Sequence, residues 1–460
     1  MERHAGVLFL ARHEWRVLSA SRAARFVIAV FVLALGAAST LGAMRAARER
    51  DITADFIRRA AADRATVNEV RADAAANDRG FLALLPPAPL SALAVGQGDV
   101  YPSYIKVTAR SLDALVSGDQ IEHPLAVANG PFDAAFVILF LYPLLIFATS
   151  FDLTATEREQ GTLRMVMAQP VRLGDLVAAK MIVRAAKLLI PALIIPAAVA
   201  ALAAPIDTAF VTRAALWSAA VVVYGAIWHG IALLVNARGW SAPANALVLA
   251  GIWLLFAVVG PSCVNLLIAI RYPMPSRVEA AVQSRAATQE ATVQGSRQLG
   301  QFLQDHPTSA NVGREGMRQF AMLQAERDQR VADRLQEVEA AFNAQLDKQR
   351  RLASWLSALS PTMIAQGVML EAAGTNTSRF DHFRAAVASF QQQWRAYFEP
   401  RVLDAATLTR EDYSAAPWFS YREEAVAGAA GRVAMPLAAM AAAAFLLTLL
   451  GFRLYRSYSF

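Results

Sequence analysis

Six long apolar stretches alternate with polar segments along the chain. Each holds about 20 predominantly apolar residues, the length that an α-helix needs to cross the hydrocarbon core of a bilayer. The stretches are 26–44, 132–151, 181–204, 214–235, 244–269 and 433–452. The composition agrees, because 56% of the residues are hydrophobic and only 18% are charged, whereas soluble chains average about 25% charged residues. The pattern predicts an all-α polytopic membrane protein with six transmembrane helices.

The density of Lys and Arg predicts which segments face the cytoplasm. The termini and short connections hold 14 basic residues in 77 positions, whereas the two long inserts hold 28 in 249. The first group comprises 1–25, 152–187, 236–243 and 453–460, and the inserts are 45–131 and 270–431. Because cytoplasmic loops carry the excess of positive charge, we expect both termini in the cytoplasm and both inserts outside it. The net charge of +7 then faces the anionic inner leaflet, and no nucleic-acid partner is needed to explain it.

The residues before the first apolar stretch predict a helix that lies at the cytoplasmic membrane surface. Apolar residues and arginines alternate along 1–25, as they do in amphipathic helices lying in the plane of the interface. A cleaved signal peptide is the alternative, in which case 26–44 would be removed. The length of the preceding segment and its acidic residues Glu2 and Glu14 favour an interfacial, elbow-like helix.

The first insert, 45–131, begins as a polar helix and then changes character. Alanine and charges of both signs dominate from Arg45 to about Arg79. Prolines and glycines then break the chain into turns, with short β-prone pieces such as Tyr104–Thr108 between them. The pattern leaves the fold of 80–130 open.

The second insert, 270–431, is predicted to be mostly helical. Between 318 and 359, apolar residues recur at spacings of three and four, which places them on one helical face. The segment 276–304 is a suitable antiparallel partner across Asp305-His306-Pro307. We therefore expect a long helical hairpin that stands off the membrane. It would be a stalk or dimerising coil, or else a docking surface for substrate or an extracytoplasmic partner.

The connection between the second and third apolar stretches, 152–180, carries the most informative residues. From Thr156 to Lys180 it reads TEREQGTLRMVMAQPVRLGDLVAAK. The candidate site residues are Glu157, Glu159, Gly161, Thr162, Leu163, Arg164, Met167, Pro170 and Lys180. We refer to this connection as the 152–180 segment.

The pattern of this segment suggests a contact with a soluble partner. Leu163, Val166 and Met167 share one side of a short predicted helix whose other side is charged, so the helix could insert as a knob into a groove of that partner. Gly161 permits a tight turn before the helix, and Pro170 ends it. An ordinary amphipathic helix at the lipid surface is the alternative interpretation.

The order, spacing and position of this motif resemble the signature of ABC-transporter permeases of the ABC-2 superfamily. In that signature an acidic turn, G-T-L, a proline and a lysine lie between the second and third spans. The six spans and the N-terminal helix with His13-Glu14-Trp15-Arg16 extend the resemblance to most of the chain. The long inserts resemble a branch whose second insert ends in a segment like Leu359-Ser360-Pro361, Ala373-Gly374-Thr375 and Phe383.

The resemblance implies the permease subunit of an ABC exporter in a bacterial inner membrane. Two nucleotide-binding ATPase subunits would bind ATP and Mg²⁺, and their closure would push the 152–180 segment. Glu157 and Glu159 would pair with basic residues of the ATPase or cap nearby helix N-termini. The permease would dimerise with itself or with a paralogous permease. The chain itself would hold no cofactor or metal and would catalyse no reaction.

Three other functions remain open from the sequence. The chain could transmit ATP-driven motion to periplasmic proteins without moving a substrate, or it could be a sensor or scaffold with an extracytoplasmic helical domain. The chain lacks the G-x-x-x-x-G-K-[ST] phosphate loop, so we expect it not to bind ATP itself in that manner. An intramembrane enzyme has weaker support, because His229 and Asp133 are isolated. A hydrogen-bonded packing role is the simpler interpretation of His229, and a functional intramembrane group is the alternative.

Overall fold

The computed structural model describes residues 2–96, 101–109, 112–113, 132–169, 171–273 and 340–456, with isolated positions between 282 and 333. Within this part, six helices are long and apolar enough to cross a membrane. We number them spans 1 to 6: Arg22–Thr66, Ala134–Glu159, Leu173–Ala203, Thr208–Asn236, Ala242–Arg271 and Val426–Arg456. Each coincides with a predicted span, so the prediction of a multi-pass, largely helical membrane protein is confirmed.

Spans 2 and 4 form the centre of the bundle, and the other spans surround them. Span 4 supplies three large aromatic side chains, Trp217, Tyr224 and Trp228, which are almost completely buried. Aromatic rings contribute much of the contact area in a packed interior. His229 is also buried, and its Nδ1 lies 2.9 Å from the carbonyl oxygen of Gly225 in the preceding turn. This hydrogen bond is the contact that a packing role requires, whereas Nε2 of the same ring is buried without a partner.

The connections divide the bundle into two ends. The loop end carries the first helix, Glu2–Ala20, the 152–180 segment and the turn after span 4. The insert end carries the residues between spans 1 and 2 and between spans 5 and 6. Span 1 is 45 residues long, or about 67 Å, and continues well past the bilayer. The predicted span 26–44 and the start of the predicted polar helix are therefore one continuous helix, which ends at Thr66 rather than near Arg79.

Two π-helical turns in the middle of the bundle make carbonyl groups available to other helices. They occupy Val137–Leu141 in span 2 and Leu254–Val259 in span 5. Tyr224 Oη donates to the Leu139 carbonyl at 2.7 Å, and Trp253 Nε1 donates to the Phe140 carbonyl at 3.1 Å. Backbone groups inside a membrane must find partners within the protein. These side chains therefore link spans 2, 4 and 5 at the same depth.

A short helix, Pro361–Ala373, enters the bundle from the insert end. Its N-cap, Ser360, donates from Oγ to the Phe256 carbonyl in the middle of span 5 at 2.6 Å. Thr362 Oγ1 lies 3.1 Å from Tyr224 Oη, about 24 Å along span 4 from the insert end. The helix therefore begins near mid-membrane and rises toward the insert end.

This helix corrects the prediction that all of 270–431 lies outside the membrane. Its inward side chains join the core of the bundle: Ala365, Val368, Met369, Ala372 and Ala373 are all buried there. The helix before it, 340–357, leads down to the same point; its Trp355 is exposed, as is Leu359 in the turn that follows. With 13 residues, the buried helix is too short to be recognised as a span by its length. The sequence therefore gave no reason to place it in the bundle.

Charged side chains of spans 4 and 6 hold the C-terminal end of the helix Pro361–Ala373. Arg213 Nη1 donates to the carbonyls of Glu371 and Ala372 at 3.2 and 3.3 Å, where a positive group also complements the helix dipole. The Glu371 carboxylate pairs with Arg432 of span 6 at 2.7 Å. Spans 4 and 6 thus hold the same end of the buried helix.

The two inserts fold together as one unit, which the sequence did not predict. Strand β1, Glu69–Arg71, pairs antiparallel with β5, Thr407–Thr409. Strands β2, β3 and β4 form a second sheet from Phe81–Leu84, Tyr104–Val107 and Leu112–Asp113. The β-prone prediction for Tyr104–Thr108 is thereby confirmed. The helix Thr377–Leu403 of the second insert packs on the first insert. Its Trp394 donates from Nε1 to the Ala76 carbonyl at 3.1 Å.

We call the folded unit formed by the described residues 67–113 and 374–425 the insert domain. It is tightly connected to span 1. Arg64, near the end of this helix, donates to the carbonyls of Tyr413 and Ser414 at 2.8 and 3.2 Å. Lower on the helix, Gly42 packs directly on the backbone of Ala92, leaving no room for a larger side chain. Span 1 therefore links the loop end to the insert domain. Of the predicted hairpin, the structure describes the helix 340–357; the rest of 318–359 and its partner 276–304 fall almost wholly outside the described residues.

Candidate functional site

The 152–180 segment contains two short helices, the first of which is the last part of span 2. They are Ala155–Glu159 and Thr162–Met167, and the long helix of span 3 begins at Leu173. Gly161 joins them with φ of +73°, a left-handed conformation that residues with a Cβ adopt at a cost. Since a Cβ at this position would contact nothing within 4 Å, the glycine is required by the backbone and not by space. Pro170 lies outside the described residues.

The apolar side of the second short helix faces the bundle and not the exterior. Leu163 is only 3% exposed and packs in a cluster with Leu153, Leu176 and Tyr455 of span 6. Burial of a leucine side chain stabilises such a contact by about 1.5–3 kcal/mol. Val166 and Met167 pack at the edge of the same cluster. The predicted knob face is therefore corrected: Leu163 is occupied within the chain, and Met167 is half-buried.

The outward side of the segment consists of different residues. Met165 is 72% exposed, and Gln160, Gly161, Arg164 and Ala168 are exposed around it. We call these five residues the outward patch. It presents one large apolar side chain, Met165, and one cation, Arg164. The buried side of the same helix, with Leu163, holds this turn in place.

Lys180 attaches the segment to span 3. It is 5% exposed, and its Nζ donates to Glu157 Oε1 at 2.7 Å and to the Leu153 carbonyl at 2.7 Å. Thr162 Oγ1 donates to the Glu157 carbonyl at 3.1 Å. A buried ammonium is tolerated when it is paired and hydrogen-bonded in this way. The structure thus brings together two residues that the motif predicted separately.

Arg184, one turn further along span 3, was not predicted as part of the site. It is 6% exposed, and it joins Glu14 of the first helix at 3.1 Å to Asp152 at 2.8 Å. It also donates to the carbonyl of Thr149, the second-last residue of the long helix of span 2. A signal was present in the sequence, since an arginine inside an apolar stretch usually has a specific partner.

The segment is also connected to the turn between spans 4 and 5. Glu159 Oε1 accepts from the Ala242 amide at 3.0 Å at the start of span 5. This is the helix-capping role that the sequence offered as one of two alternatives for the acidic residues. Arg158 donates to the Trp240 carbonyl at 2.6 Å, and Asn236 Oδ1 accepts from the Leu153 amide at 3.1 Å. The sequence did not identify Arg158 or Asn236.

Polar side chains tie the 152–180 segment to several neighbouring helices. Hydrogen bonds and ion pairs connect the segment to the first helix and to spans 3, 4 and 5. A displacement of the outward patch would therefore move several helices together, because packed interfaces shift as units.

Comparison with known proteins assigns no function to this site. A family model described as "Domain of unknown function (DUF3526)" matches residues 277–422, about a third of the chain. The matched range contains the buried helix Pro361–Ala373 and the helix Thr377–Leu403, and it excludes the 152–180 segment. No curated protein matched the chain.

Proposed function

We propose that the chain is the membrane-spanning permease subunit of an ATP-driven ABC exporter in a bacterial inner membrane. The observation that carries the proposal is the exposed turn of the 152–180 segment, which buried ion pairs anchor to span 3. The resemblance of its motif to ABC-2 permeases supports the same assignment. The loop end and both termini would face the cytoplasm, in accordance with their basic residues.

In this proposal, the outward patch docks on a nucleotide-binding ATPase subunit. Met165 would fill an apolar pocket, and Arg164 would pair with an acidic residue at its rim. Closure of two ATPase subunits on ATP and Mg²⁺ would push two copies of the segment, one from each permease of a dimer. Lys180 and Arg184 would pass the displacement to span 3 as a rigid-body movement.

A second candidate function is transmission of motion to periplasmic partners without transport of a substrate. Its support is the continuity of span 1, a single helix from Arg22 to Thr66 that is hydrogen-bonded to the insert domain through Arg64. A movement at the loop end would then reach the insert domain directly. Purified complex that hydrolyses ATP in vesicles but exports nothing, and that retains a periplasmic protein on the insert domain, would favour this function.

Substitution at Gly161 tests the proposal. Gly161→Val should strain the left-handed turn and displace the outward patch, whereas Gly161→Asn should be tolerated because asparagine adopts this conformation more readily. We expect ATP hydrolysis by the co-purified complex to fall at least about tenfold for the valine variant and less than about twofold for the asparagine variant, a difference of about 1 kcal/mol. Equal activity in both variants, with both chains folded, would contradict the assigned role.

A further inference from the structure

A cavity of about 220 Å³ lies at the insert end, between span 1 and the insert domain. Four described parts of the chain form its walls: one face of span 1 from Arg45 to Thr53, the proline-rich turn that begins at Leu85, the residues 101–103, and the residues from Gly374 to Phe380. The apolar part of the wall is well ordered by packing, since Tyr101 stacks on Phe380 with ring centroids 4.3 Å apart. The cavity is therefore built by span 1 and both inserts.

Two hydroxyl groups in the wall lack hydrogen-bond partners. Thr375 is 7% exposed, and its Oγ1 is buried without a partner; the same holds for the Oγ of Ser91. Both residues line the cavity. A buried hydroxyl that is left unpaired is unfavourable, and native structures leave few such groups. These two groups therefore indicate that the cavity receives a polar ligand.

The charged groups of the wall favour a ligand that accepts hydrogen bonds. Arg379 uses Nε and Nη2 to bind Glu423 and the Pro86 carbonyl, which leaves Nη1 available for a ligand. The lining also contains Arg45, and Glu49, the one carboxylate among the described lining residues, already pairs with Arg45 at 3.0 Å. Guanidinium groups bind carboxylate and phosphate well.

The position of the cavity favours a ligand with an apolar chain. Leu41 lies one helical turn before Arg45 on the same side of span 1 and is exposed. Ile52 lines the cavity and is exposed at its rim. A molecule whose head occupied the cavity could therefore lay its chain along the apolar surface of span 1.

We infer that this cavity binds the anionic head of an acyl amphiphile, with Thr375, Ser91 and Arg379 as the hydrogen-bond donors. A free fatty acid and an anionic membrane phospholipid share this chemistry. The site is separate from the 152–180 segment, and the inference does not depend on the proposed transport function.

Calorimetric titration of the whole chain in a nonionic detergent tests the inference. The probes are decanoate and decyl phosphate, with decanol as the uncharged control and protein-free micelles as the blank. We expect saturable binding of one or both anions and at least about tenfold weaker binding of decanol. Preference for decanoate would indicate a fatty acid, and preference for decyl phosphate would indicate a phospholipid head. Equal binding of decanol, or no saturable binding of either anion, would overturn the inference.

Two matched substitutions locate the binding site. Thr375→Val removes the unpaired hydroxyl and should weaken anion binding about fivefold, the effect of one lost hydrogen bond. Thr66→Val makes the same change on span 1, outside the described lining of the cavity, where Oγ1 already donates to the Asp63 carbonyl at 2.8 Å, so binding should stay within about twofold. Equal affinities of these two variants would contradict the assignment. If Thr375→Val fails to fold, Ser91→Ala supplies the same comparison.

Discussion

Replacement of Arg184 with methionine should destabilise the chain more than any other single change at the loop end. The substitution would leave the buried carboxylate of Glu14 without its partner and would also remove the pairing with Asp152 and the Thr149 carbonyl. Breaking a buried ion pair by removal of one partner typically costs about 3–5 kcal/mol. We expect a loss of that size in the free energy of unfolding, measured by reversible unfolding in mixed micelles.

Arg16→Met is the matched control for this measurement. Arg16 lies on the same first helix as Glu14 but is exposed, and changes to exposed residues usually alter stability by less than about 0.5 kcal/mol. A loss for Arg184→Met no larger than that of Arg16→Met would show that the buried network does not hold the first helix on span 3.

Replacement of Lys180 with methionine should separate folding from coupling. The variant loses the ion pair to Glu157 and the bond to the Leu153 carbonyl, so the short helices would no longer be tied to span 3 by charge. Because Glu157 is about one-third exposed, its carboxylate can hydrate, and we expect a loss of about 1.5–3 kcal/mol in stability. ATP hydrolysis should continue in the purified complex, but export should fall at least about tenfold.

Two further variants make the Lys180 result interpretable. Lys187→Met changes a lysine on the same helix whose ammonium lies over the Trp15 ring, 4.2 Å from its centroid, and contacts no part of the 152–180 segment among the described residues. It should leave the ratio of export to ATP hydrolysis unchanged. Glu157→Gln combined with Lys180→Met should lower stability by less than the sum of the single changes, because the two residues interact. Additive losses, or equal export by the Lys180 and Lys187 variants, would contradict the account.

The sequence predicted the features that depend on local pattern. All six spans follow from runs of apolar residues, and the β-strand at Tyr104–Val107 follows from a short β-prone run between turns. The position of the 152–180 segment, between the second and third apolar runs, follows from the order of these runs. These features require no knowledge of which distant residues meet.

The features that the sequence missed depend on contacts between distant parts of the chain. Pairing of β1 with β5 joins the two inserts, and no local pattern specifies such a partner. The buried helix Pro361–Ala373 is recognised only through its contacts with spans 4 and 5. In the candidate site, the direction of Leu163 was predicted wrongly because an apolar side of a short helix can face either a partner or its own chain.

We propose above that the outward patch docks an ATPase subunit. Affinity purification of the tagged chain from mildly solubilised native membranes tests this docking most directly. The wild type and Met165→Leu should each retain a nucleotide-binding subunit in equimolar amount, with ATPase activity in the eluate. Met165→Glu should lose that subunit while the chain remains folded, because a charge would replace the exposed apolar side chain at the centre of the patch. Recovery of the wild-type chain without an ATPase, or equal retention by Met165→Glu, would contradict the proposal.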